Sequence, residues 1–386
     1  MIKKLQFFFL ILIFFSNYNI AQTYSSFYNG IVNNISSTNI LADLTTFESL
    51  GVKQIGTVAL DNTQAWIKSR YETLGYTDIV EQPFSYSSGT TNNIIITKVG
   101  NTYPNRYVII DGHYDTINGT GTNDNGSGTV LLLELARLFK DIETEYSIKF
   151  IHFSGEEDGL IGSNYYVNNT VIPQSLDIEL VFNIDEVGGV NGMINDTIVC
   201  EQDTSTPTAN NAASATMTQI LANCIELYST LHTEISYAYA SDYIPFENNG
   251  EIITGLYEKN ESPYAHTSND VLTNMDVDYL VQVTKGALGA ALHFAVGVQT
   301  LSNNDQDELE KSIIVYPNPS SGFINLKNTS SKEFKLTIVN VLGKEVYKTI
   351  VNTNTESLDL TSLSKGVYMA VFKNGTTSFS KKIILN

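Results

Sequence analysis

A short apolar run that ends in a histidine and carboxylates is the feature that most constrains the fold. Residues 106–111 (Arg-Tyr-Val-Ile-Ile-Asp) have the apolar, β-branched character of a buried strand. The chain then presents His113 and Asp115, and a Gly- and Asn-rich loop presents Asp124 before a helix that is predicted to begin near Ser127. Open α/β sheets bind ligands at the carboxyl ends of their strands, and histidine with carboxylates suits a divalent metal. The pattern therefore predicts a metal site at a sheet edge.

Apolar segments of strand length alternate with segments of helical periodicity through most of the chain. Strands are expected at 78–87, 92–99, 106–111, 147–153, 180–184 and 251–256, and helices at 24–50, 62–74, 127–140, 159–168, 209–228 and 277–298. Strands of continuous apolar character are typical of parallel sheets that helices cover on both faces. We therefore predict an α/β domain with a mixed, mostly parallel sheet sandwiched by helices.

The last part of the chain has a different pattern. Residues 299–310 are polar and aperiodic, as in a linker. Beyond them, short alternating segments separated by turn residues such as Pro317-Asn-Pro319 predict a small C-terminal antiparallel β-sandwich. Residues 311–386 hold ten Lys and four Asp or Glu, a net +6, whereas residues 22–310 carry −27. This change of sign supports a domain at 22–298 followed by a second domain at 311–386.

Residues 1–21 have the pattern of a signal peptide. Lys3 and Lys4 precede an apolar run at 7–15, and Ala21 offers a small residue for cleavage. The run is shorter than the ~20 residues that a bilayer span requires. Other stretches of the sequence are less apolar still, so we expect an exported protein with no transmembrane span.

Charge and cysteine content narrow the class of protein. The formal net charge is −19, which argues against nucleic acid as a partner because phosphate binding requires a basic surface. Cys200 and Cys224 are the two cysteines. In an exported protein they could form a disulfide, or both could be reduced and buried.

Chemically suitable side chains recur at the ends of predicted strands and in one later loop. They are His113, Asp124, Glu156, Glu157, Asp185 and His266. Two histidines and three carboxylates could hold two zinc ions if one carboxylate were shared. In the adjacent pair of glutamates, one could bind metal while the other stays free to move a proton. Of the other histidines, His152 is predicted to be structural within a strand, and His232 and His293 lie on predicted helical stretches without a motif.

At this point the chain resembles a known family. The motifs are Gly112-His-Tyr-Asp-Thr116, Asn123-Asp-Asn-Gly-Ser-Gly128, Gly155-Glu-Glu157, Asn183-Ile-Asp185 and His266-Thr-Ser-Asn-Asp270. Together, and in this order, they resemble the two-zinc aminopeptidases that include secreted bacterial leucyl aminopeptidases. The resemblance covers roughly residues 50–298 and implies the zinc exopeptidase type of fold, with peptides that have a free N-terminus as substrates.

The resemblance also implies roles for single residues. It implies two zinc ions held by five side chains: His113 and Asp185 on one ion, Glu157 and His266 on the other, and Asp124 bridging both. Glu156 would be the general base and later the acid. Asp115 would accept the second ring N–H of His113, and Asp270 would do the same for His266. Tyr237 and Tyr264 are candidates for stabilising the oxyanion, and Tyr239 competes with them.

The chain departs from the family pattern at two places, one on each side of a Ser-Asp pair. Ser241-Asp242 resembles a family element near the pocket, but Tyr243 stands where the family usually has histidine. Some members carry a disulfide just before this element, and here Ile235 and Tyr239 occupy the corresponding places. That bridge is therefore not expected in this chain.

The C-terminal segment has a resemblance of its own. Val315-Tyr-Pro-Asn-Pro-Ser-Ser-Gly322, Gly343-Lys-Glu-Val346 and Leu363-Ser-Lys-Gly-Val-Tyr368 resemble the sorting domain of type IX secretion. The resemblance implies recognition by secretion machinery and a secreted or cell-surface location. The alternative is an accessory carbohydrate-binding or adhesive β-domain.

Other functions stay open for the first domain. Within the same fold, the alternatives are a single-zinc glutaminyl cyclase and a carboxypeptidase. A different class of alternative is a catalytically inactive binding or adhesion protein. The glutamate that is free to move a proton favours an enzyme, because a binding module does not require a base beside its metals. The oligomeric state and the preferred N-terminal residue are left undecided by the sequence.

Overall fold

The computed structural model describes residues 22–86, 89–238, 240–298, 311–330, 332–341, 343–352, 355–374 and 377–386. The chain divides into two compact units, Met1–Gln299 and Thr300–Asn386. The predicted signal peptide and the predicted linker lie outside the described residues. Within those residues, no helix combines the length and the apolar character that crossing a bilayer requires.

A twisted sheet forms the centre of the first unit. The strands described there are β1 (Ile79–Tyr86), β2 (Gly89–Lys98), β3 (Tyr103–His113), β4 (Glu143–Thr144), β5 (Tyr146–Phe153), β6 (Asp177–Ile184), β7 (Thr197–Gln202), β8 (His232–Tyr237), β9 (Ile253–Glu258) and β10 (Gly297–Val298). Eight strands pair in the order β1-β2-β5-β3-β6-β9-β7-β8, and β4 pairs with β10 separately. The central strands β5, β3, β6 and β9 are parallel to one another, whereas β1, β2 and the β9–β7 pair are antiparallel.

Helices flank this sheet. They are α1 (Ser26–Val32), α2 (Ser37–Ser49), α3 (Val58–Thr73), α4 (Gly126–Phe139), α5 (Ile161–Tyr166), α6 (Ile172–Gln174), α7 (Asn211–Tyr228), α8 (Ile244–Asn248) and α9 (Val277–Phe294). A π-helical turn (Val167–Val171) joins α5 to α6, and a 3₁₀ turn (Leu272–Asn274) precedes α9. The side chains of Ser36, Thr57 and Asp276 accept amide N–H groups at the starts of α2, α3 and α9.

The sheet is buried on both faces. Along β3, Val108 and Ile110 belong to a large core shared with α4, α7 and α9, whereas Ile109 belongs to a smaller core with Phe153 and Phe246. This alternation explains why the β3 sequence is continuously apolar rather than alternating with polar residues. The predicted mixed, mostly parallel sheet between helices is confirmed.

Some elements differ from the sequence prediction. The expected helix at 24–50 is two helices, because the chain turns between Val32 and Ser37 and Ser36 caps the second one. The strands β7 and β8 were not predicted. The placement of His232 on a helical stretch is wrong, since His232 is the first residue of β8. This outer strand is largely exposed and rich in polar residues, so its apolar signal is weak.

From Ile313 onward, strands are the regular elements of the second unit in its described residues. Its strands are β11 (Ile313–Tyr316), β12 (Phe323–Asn328), β13 (Phe334–Asn340), β14 (Glu345–Val351), β15 (Thr355–Asp359), β16 (Gly366–Asn374) and β17 (Thr377–Leu385). They form two antiparallel sheets, β11-β12-β15 and β14-β13-β16-β17. One core takes residues from both sheets, among them Leu326, Phe334 and Phe372. The predicted antiparallel C-terminal unit is confirmed.

Candidate metal centre

Parallel pairing brings the predicted ligands to one edge of the sheet. His113 ends β3, Glu156 and Glu157 follow β5, and Asp185 follows β6. Since β5, β3 and β6 are adjacent and parallel, their carboxyl ends meet at the same edge. Asp124 reaches this edge from the loop before α4.

Two groups of side chains have the spacing of metal ligands. In the first, His113 Nε2 lies 3.2 Å from Asp185 Oδ1 and 3.3 Å from Asp124 Oδ1. In the second, His266 Nε2 lies 3.1 Å from Asp124 Oδ2 and 2.8 Å from Glu157 Oε2. Within each group the ligand atoms are all within 4.8 Å of one another. Asp124 therefore offers one carboxylate oxygen to each group.

The chemistry of these donors fits zinc. Zinc binds histidine nitrogen and carboxylate oxygen, and each group supplies both. One oxygen of Glu157, Oε1, is buried without a hydrogen-bond partner, as expected for a side chain whose partner is an ion. The carboxylates are also crowded: burial, followed by the charge of Asp124, raises the pKa of Glu157 to about 10. A divalent cation would relieve this repulsion.

Neighbouring charges also shift the pKa values of His113 and Asp124. Burial alone would lower the pKa of His113, but the carboxylates of Asp185 and Glu156 outweigh it and hold this pKa well above its usual value. Burial likewise opposes ionisation of Asp124, yet hydrogen bonds with His113 and His266 hold its pKa below the ordinary range. The surroundings therefore stabilise the ionised form of Asp124, the carboxylate that both ligand groups share.

Glu156 lies beside the two groups and belongs to neither. Its Oε2 is 4.0 Å from His113 Nε2, and 17% of its side chain is exposed. Burial, together with the nearby acids Asp185 and Asp115, raises the pKa of Glu156 to about 8 against the attraction of His113. A carboxyl group with this pKa can exchange a proton near neutral pH.

Asp115 positions the two glutamates. Its Oδ1 accepts the amide N–H of Glu156 at 3.2 Å, and its Oδ2 accepts that of Glu157 at 3.3 Å. His113 Nδ1 is 3.1 Å from the backbone oxygen of Asp115 and 3.7 Å from its carboxylate. The backbone oxygen, rather than the expected carboxylate, is therefore the nearer acceptor for His113.

Asp270 has a different partner from the one expected. The resemblance paired it with His266, but its carboxylate accepts the amide N–H groups of Asn123 and Asp124 at 2.8 and 3.0 Å. Asp270 is 2% exposed, so these two bonds are sheltered from water. The residue thus fixes the backbone of the loop that presents Asp124. The expected bond to the ring of His266 is not among the hydrogen bonds that Asp270 forms in the described part of the chain.

The tyrosine candidates come from different segments of the chain. Tyr237 lies on β8 with 61% of its surface exposed, Tyr264 precedes His266 by two residues, and Tyr239 lies outside the described residues. The oxyanion roles of Tyr237 and Tyr264 stay predictions. Tyr243, which replaces the family histidine, is 1% exposed and packs in the smaller core.

Three further side chains near the centre were not predicted to have these roles. The hydroxyl of Ser241 donates to Asp185 Oδ2 at 2.6 Å, which fixes the orientation of that carboxylate. Glu186 follows Asp185 with φ 53° and is buried, and the hydroxyl of Tyr257 donates to it at 3.1 Å. For Glu186, the available sequence signal was an acidic residue directly after Asp185.

The cysteines are not paired. Cys200 on β7 and Cys224 on α7 are free and buried in the large core. Burial raises the pKa of the Cys224 thiol to about 12, so this thiol stays protonated.

Comparison with known proteins finds a family model for each part of the chain. The model for peptidase family M28 matches residues 93–291, and the model for the secretion system C-terminal sorting domain matches residues 314–386. Aminopeptidase YwaD of Bacillus subtilis is 30% identical over 205 residues, which cover 51% of this chain and 43% of YwaD. The chain therefore spans less than half the length of that curated relative.

Solved structures share the fold of the first unit. The Legionella pneumophila LapA aminopeptidase has a TM-score of 0.61 at 23% identity, covering 71% of this chain and 77% of its own. The Macrostomum lignano glutaminyl cyclase has a TM-score of 0.63 at 14% identity, covering 72% and 96%. Both resemblances read from the motifs are confirmed. Since the first family model matches just over half of the 386 residues, the chain belongs to peptidase family M28.

Proposed function

We propose that this chain is an exported zinc aminopeptidase that removes N-terminal residues from peptides. The observation that carries the proposal is the pair of ligand groups that share Asp124, with Glu156 beside them and outside both. Family M28 membership and the aminopeptidase name of YwaD support it.

Two zinc ions per chain are part of the proposal. His113 and Asp185 would hold one ion, Glu157 and His266 the other, and Asp124 would bridge them. When bound, such a pair supplies Lewis-acid activation of water and of the scissile carbonyl.

The protein side chains would move the proton. Glu156 takes a proton from the attacking water and returns it to the leaving amine, for which its place beside both ligand groups and outside them is suited. Asp115 keeps Glu156 and Glu157 in place through their backbone amides. Ser241 holds Asp185 in a fixed orientation. The excess of carboxylates favours a substrate that carries a positive α-amino group.

The test is hydrolysis of aminoacyl-nitroanilides by the full chain. We expect release that a chelator abolishes and zinc restores, and no release from substrates whose N-terminus is acetylated. Release from acetylated substrates, or release that persists in chelator after zinc has been removed, would contradict the proposal.

A glutaminyl cyclase is the second candidate, because the cyclase of Macrostomum lignano matches the fold as well as LapA does. The alternative requires one zinc, and the second ligand group around His266 disfavours it. Peptides that begin with glutamine separate the two activities. A cyclase releases ammonia and leaves the peptide length unchanged, whereas an aminopeptidase releases free glutamine.

The chain ends in a sorting domain of a secretion system. We propose that the N-terminal signal peptide takes the chain across the inner membrane and that residues 311–386 then direct it through type IX secretion to the cell surface or the medium. Fractionation of cells that express the full chain checks this location. Retention of the enzyme in the periplasm of a host with an intact secretion system would contradict it.

A further inference from the structure

A pocket of about 240 Å³ lies beside the metal centre, between β7, β8 and β9. Val199, Tyr237 and Tyr257 form apolar parts of its wall, and the buried acid Glu201 also belongs to the lining. The mechanism proposed above uses none of these four residues.

Strand register makes this pocket a neighbour of the metal ligands. Asp185 donates its amide N–H to Leu256 at 3.2 Å, which places it next to Tyr257. Tyr257 is paired with Val199 on β7, and Val199 is paired with Glu234 on β8. One face of the sheet therefore runs from Asp185 directly into the pocket.

The position fits a substrate side chain. In an aminopeptidase the scissile carbonyl is bonded to the Cα that carries the N-terminal side chain, so that side chain must lie within a few ångströms of the metal ligands. The hydroxyl of Tyr257 donates to Glu186, the residue after Asp185, and Ala240 of the pocket precedes Ser241. The pocket thus begins where this side chain would leave the centre.

The charge of the lining is negative. It contains four glutamates and a single lysine, Lys259, which forms an ion pair with Glu234 at 2.7 Å. Glu258 is already engaged, because it accepts Asn123 Nδ2 at 3.1 Å and the amide of Gly189 at 2.6 Å. Glu201 and the exposed Glu261 remain without a cationic partner among the pocket residues.

Of the two lining glutamates without a cationic partner in the pocket, Glu201 is the buried one. It is 7% exposed, and burial raises its pKa to about 8, although the hydroxyl of Tyr243 donates to it. A cation bound beside Glu201 would favour its ionised form and lower this pKa again, because opposite charges attract more strongly where less water screens them. A long basic side chain would also place its methylene groups against the tyrosines of the wall.

We propose that this pocket receives the side chain of the substrate's N-terminal residue and that Glu201 makes the enzyme selective for Lys or Arg there. This inference rests on the proposed aminopeptidase function. It adds the substrate class and a specificity-determining residue.

Matched nitroanilides of lysine and norleucine test the inference, because norleucine keeps the straight aliphatic chain and lacks the ammonium group. With the full chain, we expect kcat/KM for lysine to exceed that for norleucine by about tenfold or more, as for a charge-assisted hydrogen bond. In Glu201→Gln this ratio should fall about tenfold. Glu72→Gln, an exposed acid on α3, is the control and should keep the wild-type ratio.

A second variant keeps the inference testable if Glu201→Gln fails to fold. Lys259→Gln removes the single cation from the lining at an exposed position, so the lysine-to-norleucine ratio should rise by about twofold or more. A wild-type ratio at or below one, or an unchanged ratio in Lys259→Gln, overturns the inference while hydrolysis of norleucine upholds the aminopeptidase function. No hydrolysis of any nitroanilide by the zinc-loaded chain overturns both.

Discussion

At the scale of single residues, two adjacent glutamates should respond differently to the same substitution. Glu157 faces His266 at 2.8 Å within a ligand group, whereas Glu156 belongs to neither group. Glu156→Gln removes the proton carrier, so we expect kcat to fall by about 10²–10⁴-fold with zinc content unchanged. Glu157→Gln should instead lose zinc. Metal analysis and kinetics of both variants check this, and zinc loss in Glu156→Gln would contradict the assigned roles.

The candidate metal ligands of the centre could be predicted from the sequence, whereas the hydrogen-bond partners that support them could not. His113, Asp124 and Asp185 stand at strand ends or in a loop that follows one, so a local pattern was enough to nominate them. The partner of Asp270 could not be predicted, because its bond to Asn123 joins residues 147 positions apart. The same holds for Ser241, which acts on a carboxylate 56 positions away. Contacts between distant loops depend on tertiary packing, which periodicity does not report.

At the scale of elements, the buried parallel strands were predictable and the outer ones were not. The strands β3, β5 and β6 are apolar because helices cover both faces, and this continuous run is visible in the sequence. Most residues of the outer strand β8 are exposed. Its polar sequence therefore showed neither the continuous apolar run of a buried strand nor the periodicity of a helix. The missed strands β7 and β8 line the pocket together with β9, which is why its acidic lining could not be assembled before the register was known.

Asp270 holds two backbone amides of the loop that carries Asp124. Asp270→Ala would leave the buried amides of Asn123 and Asp124 without their acceptor, which should cost about 2–5 kcal/mol of unfolding free energy. Zinc affinity should fall by about 10–100-fold, since the loop that presents a ligand is no longer fixed. Urea denaturation and zinc titration measure the two effects.

Asp270→Asn is the matched control for this loop. Its amide keeps one carbonyl oxygen as an acceptor, so both losses should be smaller than in Asp270→Ala. If Asp270→Ala kept wild-type zinc affinity while losing stability, Asp270 would support the fold alone and would not position the metal ligand.

At the scale of the whole molecule, the strongly acidic character of residues 22–310 links metal binding to stability. Residues 22–310 carry −27, and the ligand groups concentrate part of that charge in a buried place. Zinc ligands bind in their deprotonated forms, so metal binding and proton release are coupled. Metal removal should therefore change the pH dependence of stability as well as its value.

The sign of that change follows from the raised pKa values of Glu156 and Glu157. Their ordinary value is 4.5, and in the fold they rise to about 8 and about 10, so the folded state keeps protons that the unfolded chain has released. This contribution is fully present below pH 4.5 and is lost as pH rises through about 8 and about 10. The chelated protein should therefore melt at progressively lower temperature between about pH 6 and about pH 9. The zinc-loaded protein should lose less, because the ions compensate the same charges.

Thermal denaturation of the chelated and zinc-loaded full chain across this pH range measures both slopes. The chelated variant Glu157→Gln provides the control, since it lacks the carboxyl group whose pKa is raised furthest of the two, to about 10, and should show a shallower decline. Parallel slopes for the chelated and zinc-loaded forms would mean that zinc does not compensate these carboxylates. The ligand groups around Asp124 would then not be the zinc site, and the proposed mechanism would have to be withdrawn together with its metal centre.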